Sequence, residues 1–237
     1  MKKSMLRIAS VLLVAVMLTT CIISGAFAKY VTTRTNDAEV ATVAKWGVTI
    51  TENTGDGADN DLFDASYVWT GAQTKPDGVT ASVNAVAAVV APGTTGSLKP
   101  FEIKGTPDVA VEITYASTLT LTNFVEATYC PIVFNVAGTD YYIGKTAEIN
   151  NIADLQTAVN NAIVAQKQIY GPNTNLDGEV DLAISWTWCF DQAAATTAGY
   201  TGLVINDAKD TALGDAATGD NVPTIEWALT ATVTQID

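Results

Sequence analysis

The sequence predicts a mainly β fold, an antiparallel sandwich or barrel, and three observations predict it. Apolar and polar residues alternate with period two through three long runs. Gly, Pro, Asn and Asp clusters separate those runs from further short alternating ones. A single segment switches to helical spacing. Many half-buried strands joined by such turns indicate antiparallel sheets with one wet and one buried face.

The chain opens with Lys2, Lys3 and Arg7, followed by an apolar run from Ile8 to Ile23 and the small residues Ala26-Phe27-Ala28. A positive start, an apolar helix and an A-x-A end are the parts of a secretory signal. Residues 1–28 are therefore expected to be a signal helix, cut between Ala28 and Lys29. The alternative is an uncleaved membrane anchor, since the run is nearly long enough to span. Thr19, Thr20, Ser24 and Gly25 dilute its second half and argue for cleavage.

The alternating runs then follow. In DVAVEITYASTLTLT, Val109, Val111, Ile113, Tyr115, Ser117, Leu119 and Leu121 share one face. The run is long for one strand, so a bend or bulge is expected near Ala116-Ser117. In GEVDLAISWTWCF the shared face holds Val180, Leu182, Ile184, Trp186, Trp188 and Phe190. In TIEWALTATVTQ it holds Ile225, Trp227, Leu229, Ala231 and Val233. Shorter candidates are EVATVAKWGVTI, ASYVWTG, ASVNAVAAVV, PFEIKG and YCPIVFNVAG. Ile152, Leu155, Val159, Ile163 and Gln166 or Tyr170 recur at helical spacing, which predicts an amphipathic helix over about 151–169. Asn150 or Asn151 would cap it and Gly171-Pro172 would stop it. NDAKDTALGDAATGDN reads as an acidic small-residue loop before the final strand.

Charge bounds the partners. The full chain carries 12 basic and 25 acidic residues, a net charge of −13. Removing the signal leaves nine basic residues against 25 acidic ones, a net charge of −16. A surface this negative repels phosphate backbones, so no nucleic-acid partner is expected. Two cysteines lie beyond the signal. Cys130 shares parity with Ile132 and Phe134 and should point inward; Cys189 has the opposite parity to Trp186 and Trp188 and should point outward. Side chains on opposite faces do not bridge without a bulge.

The chain has no histidine. That removes Ser-His and Cys-His nucleophile pairs and the HExxH zinc site, and no carboxylate pair stands out. No enzymatic activity is expected. Gly144-Lys145-Thr146 resembles the end of a phosphate loop, but the first glycine would fall on Thr139, and a hairpin around Gly138-Thr139-Asp140 explains the stretch better. Asn173, Asn175, Asp177 and Gly178 match the start of a calcium loop. The place of the bidentate Glu is Ile184, inside a strand, so ordinary Asx turns compete with calcium here. Two further acidic clusters, Asp56, Asp59, Asp61 and Asp64, then Asp207, Asp210 and Asp215, have the same two readings. Trp186 and Trp188 on one face suit either a core or an exposed sugar-stacking platform, and Leu182 and Ile184 beside them favour the core.

The stretches SGAFAKYV, VAKWGVTI, APGTTGS, FEIKGTPDVAVEI, YGPNTNLDGEVDLAISWTWCF, KDTALGDAA and VTQID, in this order, resemble the TasA/camelysin family. These are secreted proteins of Gram-positive bacteria, released by a dedicated ER-type signal peptidase. The resemblance implies a jelly-roll sandwich and a subunit of extracellular biofilm-matrix fibres. It further implies self-association by donor-strand exchange, with Lys29 to about Val43 as donor and Tyr30, Val31, Thr33 and Val40 among its side chains. Thr35-Asn36-Asp37 would form the hinge before a resident strand from Val40 to Ile50, and 44–237 the sandwich domain. Some relatives are classed as metallopeptidases; lacking histidine, this chain departs from them. The competing expectation is a monomeric cell-surface or carbohydrate-binding β-sandwich module. Membrane contact is expected only through the uncleaved signal, and no cofactor beyond a calcium candidate is implied.

Overall fold

The computed structural model describes residues 31–35, 41–43, 47–52, 62–63, 66–67, 89–178 and 182–236. The protein is mainly β; its described residues form three antiparallel sheets around one large hydrophobic core. The first sheet is built on two 12-residue strands, β7 (Val111–Thr122) and β12 (Thr224–Gln235), paired along their whole length. β1 (Val31–Thr35) lies on the far side of β12, and β10 (Gln168–Tyr170) lies on β7. The second sheet has the order β4 (Ser66–Tyr67), β5 (Thr94–Leu98), β11 (Ile184–Trp188), β8 (Ile132–Val136), β9 (Thr139–Tyr141). The third joins β2 (Ala41–Val43), β3 (Val48–Glu52) and β6 (Phe101–Lys104).

Parity decides what enters the core. In β7, Val111, Ile113, Tyr115, Leu119 and Leu121 are buried; in β12, Trp227, Leu229, Ala231 and Val233 are. The two larger sheets meet where Phe134 sets its ring edge against Trp227, with centroids 5.6 Å apart. Phe101 of the third sheet stacks on Tyr115 at 6.2 Å. Each such side chain, fully withdrawn from water, contributes about 1.5–3 kcal/mol. Trp186 is almost fully buried and donates its indole N–H to the Leu62 carbonyl at 2.7 Å, so its polar atom is paired.

Where a bend or bulge is expected near Ala116-Ser117, no bulge interrupts the ladder. β12 is as long as β7 and pairs with it in one unbroken register, so nothing forces an extra residue into either strand. In place of the expected single resident strand from Val40 to Ile50, the described residues form two strands paired antiparallel, with Val43 opposite Val48. β11 ends at Trp188, and Phe190 is exposed rather than facing inward. The hairpin at Gly138 is present: Val136 pairs with Thr139 across Ala137-Gly138, whose φ values of 48° and 84° are those of a two-residue turn matched to strand twist.

Three helices are described, not one. α1 spans Ile152–Val164, capped by the Asn151 side chain, which accepts from the Asp154 N–H at 3.0 Å. It stops five residues before the expected end because Gln168–Tyr170 leaves to pair with Val111–Ile113 as β10. α2 (Gln192–Thr197) starts at Asp191. α3 (Asp207–Ala216) replaces the expected loop. Asn206 caps it, Asp207 and Asp210 lie in its first turn where the helix dipole favours acids, and Leu213 anchors it in the core. No helix among the described residues is long and apolar enough to cross a membrane.

Candidate assembly interface

The two edges of the first sheet are managed differently. At the β7 edge, α1 lies along the strand and its side chains act as a substitute partner. Asn160 Oδ1 accepts from the Leu119 N–H and from the Ser117 hydroxyl, each at 2.8 Å. Gln156 Nε2 donates to the Leu119 carbonyl at 2.9 Å. Ser117 in turn accepts from the Trp227 indole at 2.9 Å, which ties this edge to the core. β10 covers the remaining end of β7. An unprotected strand edge recruits other chains, and here two amides occupy the backbone groups of Leu119 on it.

The β12 edge has no such plug. β1 pairs with it from Val31 opposite Thr234 to Thr35 opposite Thr230. Among the described residues, no strand pairs with Thr224–Leu229 on that side. β1 is itself the outermost strand among the described residues. Its one described side chain, Thr33, is exposed and shares a hydroxyl contact of 3.2 Å with Thr232. Thr33, named among the candidate donor's side chains, therefore lies beside Thr232 on the exposed side of the strand in the single chain. Val31 lies in the same strand, opposite Thr234. Tyr30 and Val40, like the cleavage residues Ala26, Ala28 and Lys29, lie outside the described residues.

The calcium candidates serve the fold where they stand. Asp177 Oδ1 accepts from the Gly105 N–H at 2.8 Å, and Asn175 Oδ1 accepts from the Asp177 N–H at 3.1 Å. Asn173 takes a left-handed φ of 59° and donates its N–H to the Pro107 carbonyl at 2.7 Å. These bonds staple the 173–178 turn to the 105–107 turn. Among the described residues, no group of three or more His, Cys, Asp or Glu gathers where it could hold a metal. Asp56, Asp59, Asp61 and Asp64 lie outside the described residues, whereas Asp207, Asp210 and Asp215 belong to α3.

Both described cysteines are free and buried. Cys130 lies inward as its parity requires. Cys189 lies on the opposite face from Trp188, also as expected, yet it is not exposed: Ala194 and Ala195 of α2, with Leu203 and Ile205, cover that face and form a second small core. Burial pushes the Cys130 thiol up to about 12 and the Cys189 thiol up to about 11, so neither is a thiolate at neutral pH. Trp186 and Trp188 are 1% and 7% exposed, so the pair packs in the core and offers no open stacking platform.

The amides of Asn160 and Gln156 escaped the sequence reading. They sit on the half-buried flank of an amphipathic helix, and only the position of β7 beneath them gives them a role. Compared with known proteins, the chain matches no protein-family model, no curated protein and no solved structure.

Proposed function

We propose that the protein is a secreted, non-enzymatic structural subunit of extracellular matrix fibres, assembled when β1 of one copy pairs with β12 of the next. A dedicated signal peptidase, acting after Ala28, would free the segment that carries β1. The observation that carries the reading is the asymmetry of the first sheet's edges. One edge is plugged by helix side chains, and the other is held by a five-residue outermost strand.

Pairing within one chain and pairing between chains use the same ladder. An exchanged β1 recovers the bonds it had at home, so the exchange itself costs little in contacts. A contact made head to tail does not close on itself and propagates as a filament. The large negative charge of the cleaved chain keeps unassembled subunits apart and makes growth dependent on salt.

The test uses Thr33 and Thr232, which face each other across the ladder. Two variants of the chain beginning at Lys29, Thr33→Cys and Thr232→Cys, are purified separately, mixed, concentrated and oxidised. Strand exchange yields a 33–232 disulfide between chains, identified by peptide mass. If that cross-link forms only within one chain of a third variant carrying both substitutions, and the mixture of single variants stays monomeric at every concentration, the proposal is wrong.

A further inference from the structure

We propose that the cavity between α3 and the start of β12 is a binding site for a small organic cation, an ammonium group on an aromatic or hydrocarbon body. The cavity measures about 460 Å³, enough for one or two rings. Phe63, Phe124, Leu213 and Ile225 form its apolar walls. Val89 and Val222, both exposed, also line it, so part of its apolar lining reaches the surface.

A single charge stands in that lining. Among the described residues the cavity wall holds no basic side chain, and its one acidic side chain is Asp210 of α3. Asp210 is fixed in place: the Asn206 N–H donates to the Tyr129 hydroxyl at 3.0 Å, and that hydroxyl donates to Asp210 Oδ1 at 2.5 Å. Tyr129 and the Trp188 indole engage at most two of the carboxylate's roughly four acceptor sites, and neither is charged. They orient the carboxylate without neutralising it. The neighbouring cation on α3 is engaged elsewhere: Lys209 Nζ meets Glu126 Oε2 at 2.6 Å and lies 5.0 Å from the centre of the Tyr129 ring. Among the described residues no Lys or Arg pairs with Asp210. Burial raises its carboxyl above the ordinary value, as expected of a negative charge half withdrawn from water without a countercharge.

Apolar walls around one carboxylate select among ligands. An anion is repelled by Asp210. A neutral ring fills the walls and leaves the charge unanswered. A divalent metal ion needs several oxygen ligands, and no group of three His, Cys, Asp or Glu gathers among the described residues. An ammonium with an apolar body answers both features: the charge pairs with the carboxylate and the body takes the walls. Phe63 and Phe124 add aromatic surface, which attracts cations as well as rings.

Three molecules of one shape test this on the full chain at neutral pH: 4-methylbenzylamine, 4-methylbenzyl alcohol and p-xylene. Titration calorimetry gives the affinity, and the methyl resonances of Leu213 and Ile225 report the place. The amine should bind one per chain, about tenfold tighter than either neutral molecule. It should move both resonances but not those of Leu155, which lies outside the lining. Asp210→Asn keeps an acceptor for the Tyr129 hydroxyl and should erase the preference for the amine. Asp108→Asn removes the same charge from an exposed residue outside the lining and should leave the preference intact. The assignment is overturned by no saturable binding at millimolar amine, by neutral molecules that bind equally well, or by unmoved Leu213 and Ile225 resonances. It is equally overturned by a preference that survives Asp210→Asn or disappears in Asp108→Asn.

Discussion

Gly96 lies on β5 against the Leu62 carbonyl and the Trp186 indole. A Cβ there would fall 2.1 Å from the carbonyl oxygen and 2.6 Å from Nε1, the two atoms of the buried hydrogen bond that holds Leu62 over the core. Gly96→Ala should therefore destabilise by about 1–3 kcal/mol, read as a lower denaturant midpoint. Asp210 gives a prediction with a sign. Burial raises its carboxyl above the ordinary value, offset by the Tyr129 hydroxyl and the Trp188 N–H, with Asp207 adding to the rise. A raised acid binds its proton more tightly when folded, so its stabilising contribution is complete below the unfolded value of about 3.8. That contribution is lost as pH climbs through the folded value. Asp210→Asn has no such loss. Relative to the parent, its thermal midpoint should rise between about pH 3.5 and pH 7. A constant difference across that range would mean that Asp210 is not desolvated.

At the scale of elements, α1 both roofs the core and blocks the β7 edge. Asn160→Ala leaves the Leu119 N–H and the Ser117 hydroxyl without their acceptor, which should cost about 1–3 kcal/mol. The same change reopens one edge. Amide exchange at Leu119 should accelerate more than at its β12 neighbours, and the variant should aggregate at concentrations where the parent does not. Unchanged exchange at Leu119 would show that the amide of Asn160 is dispensable. β1, the strand proposed to carry assembly, is more exposed to change. β1 contributes five ladder positions and no described core side chain, so losing it should leave Trp227 and Leu229 packed.

For the whole molecule, that separation should make the proposed assembly and the folding independently removable. A chain beginning at Asn36 lacks β1 and keeps β2, which belongs to another sheet. It should keep the far-ultraviolet circular dichroism and tryptophan fluorescence of the parent and form no filaments under the microscope. Filaments from that shortened chain would place the growing contact elsewhere. The central core and the small one under α2 also respond separately to thiol reagents. Cys130 lies in the central one and Cys189 under α2, so Cys189 should be modified first as denaturant rises.

Period-two alternation determined the long strands β7 and β12, the short β11 and most of their inward residues, Phe190 excepted, because each strand keeps one face toward a shared core. Helical spacing and the Asn151 cap likewise determined where α1 begins. What tertiary structure decided are the features whose cause lies far along the chain. β7 stays free of a bulge because β12 matches its length, and residues 168–170 leave the helical pattern because β7 offers them an edge. Cys189 is buried because α2 covers a face that parity alone leaves in water, and Asn160 and Gln156 become an edge plug only once α1 lies along β7. Local pattern sets which side a residue faces; what waits on that side is set by the rest of the molecule.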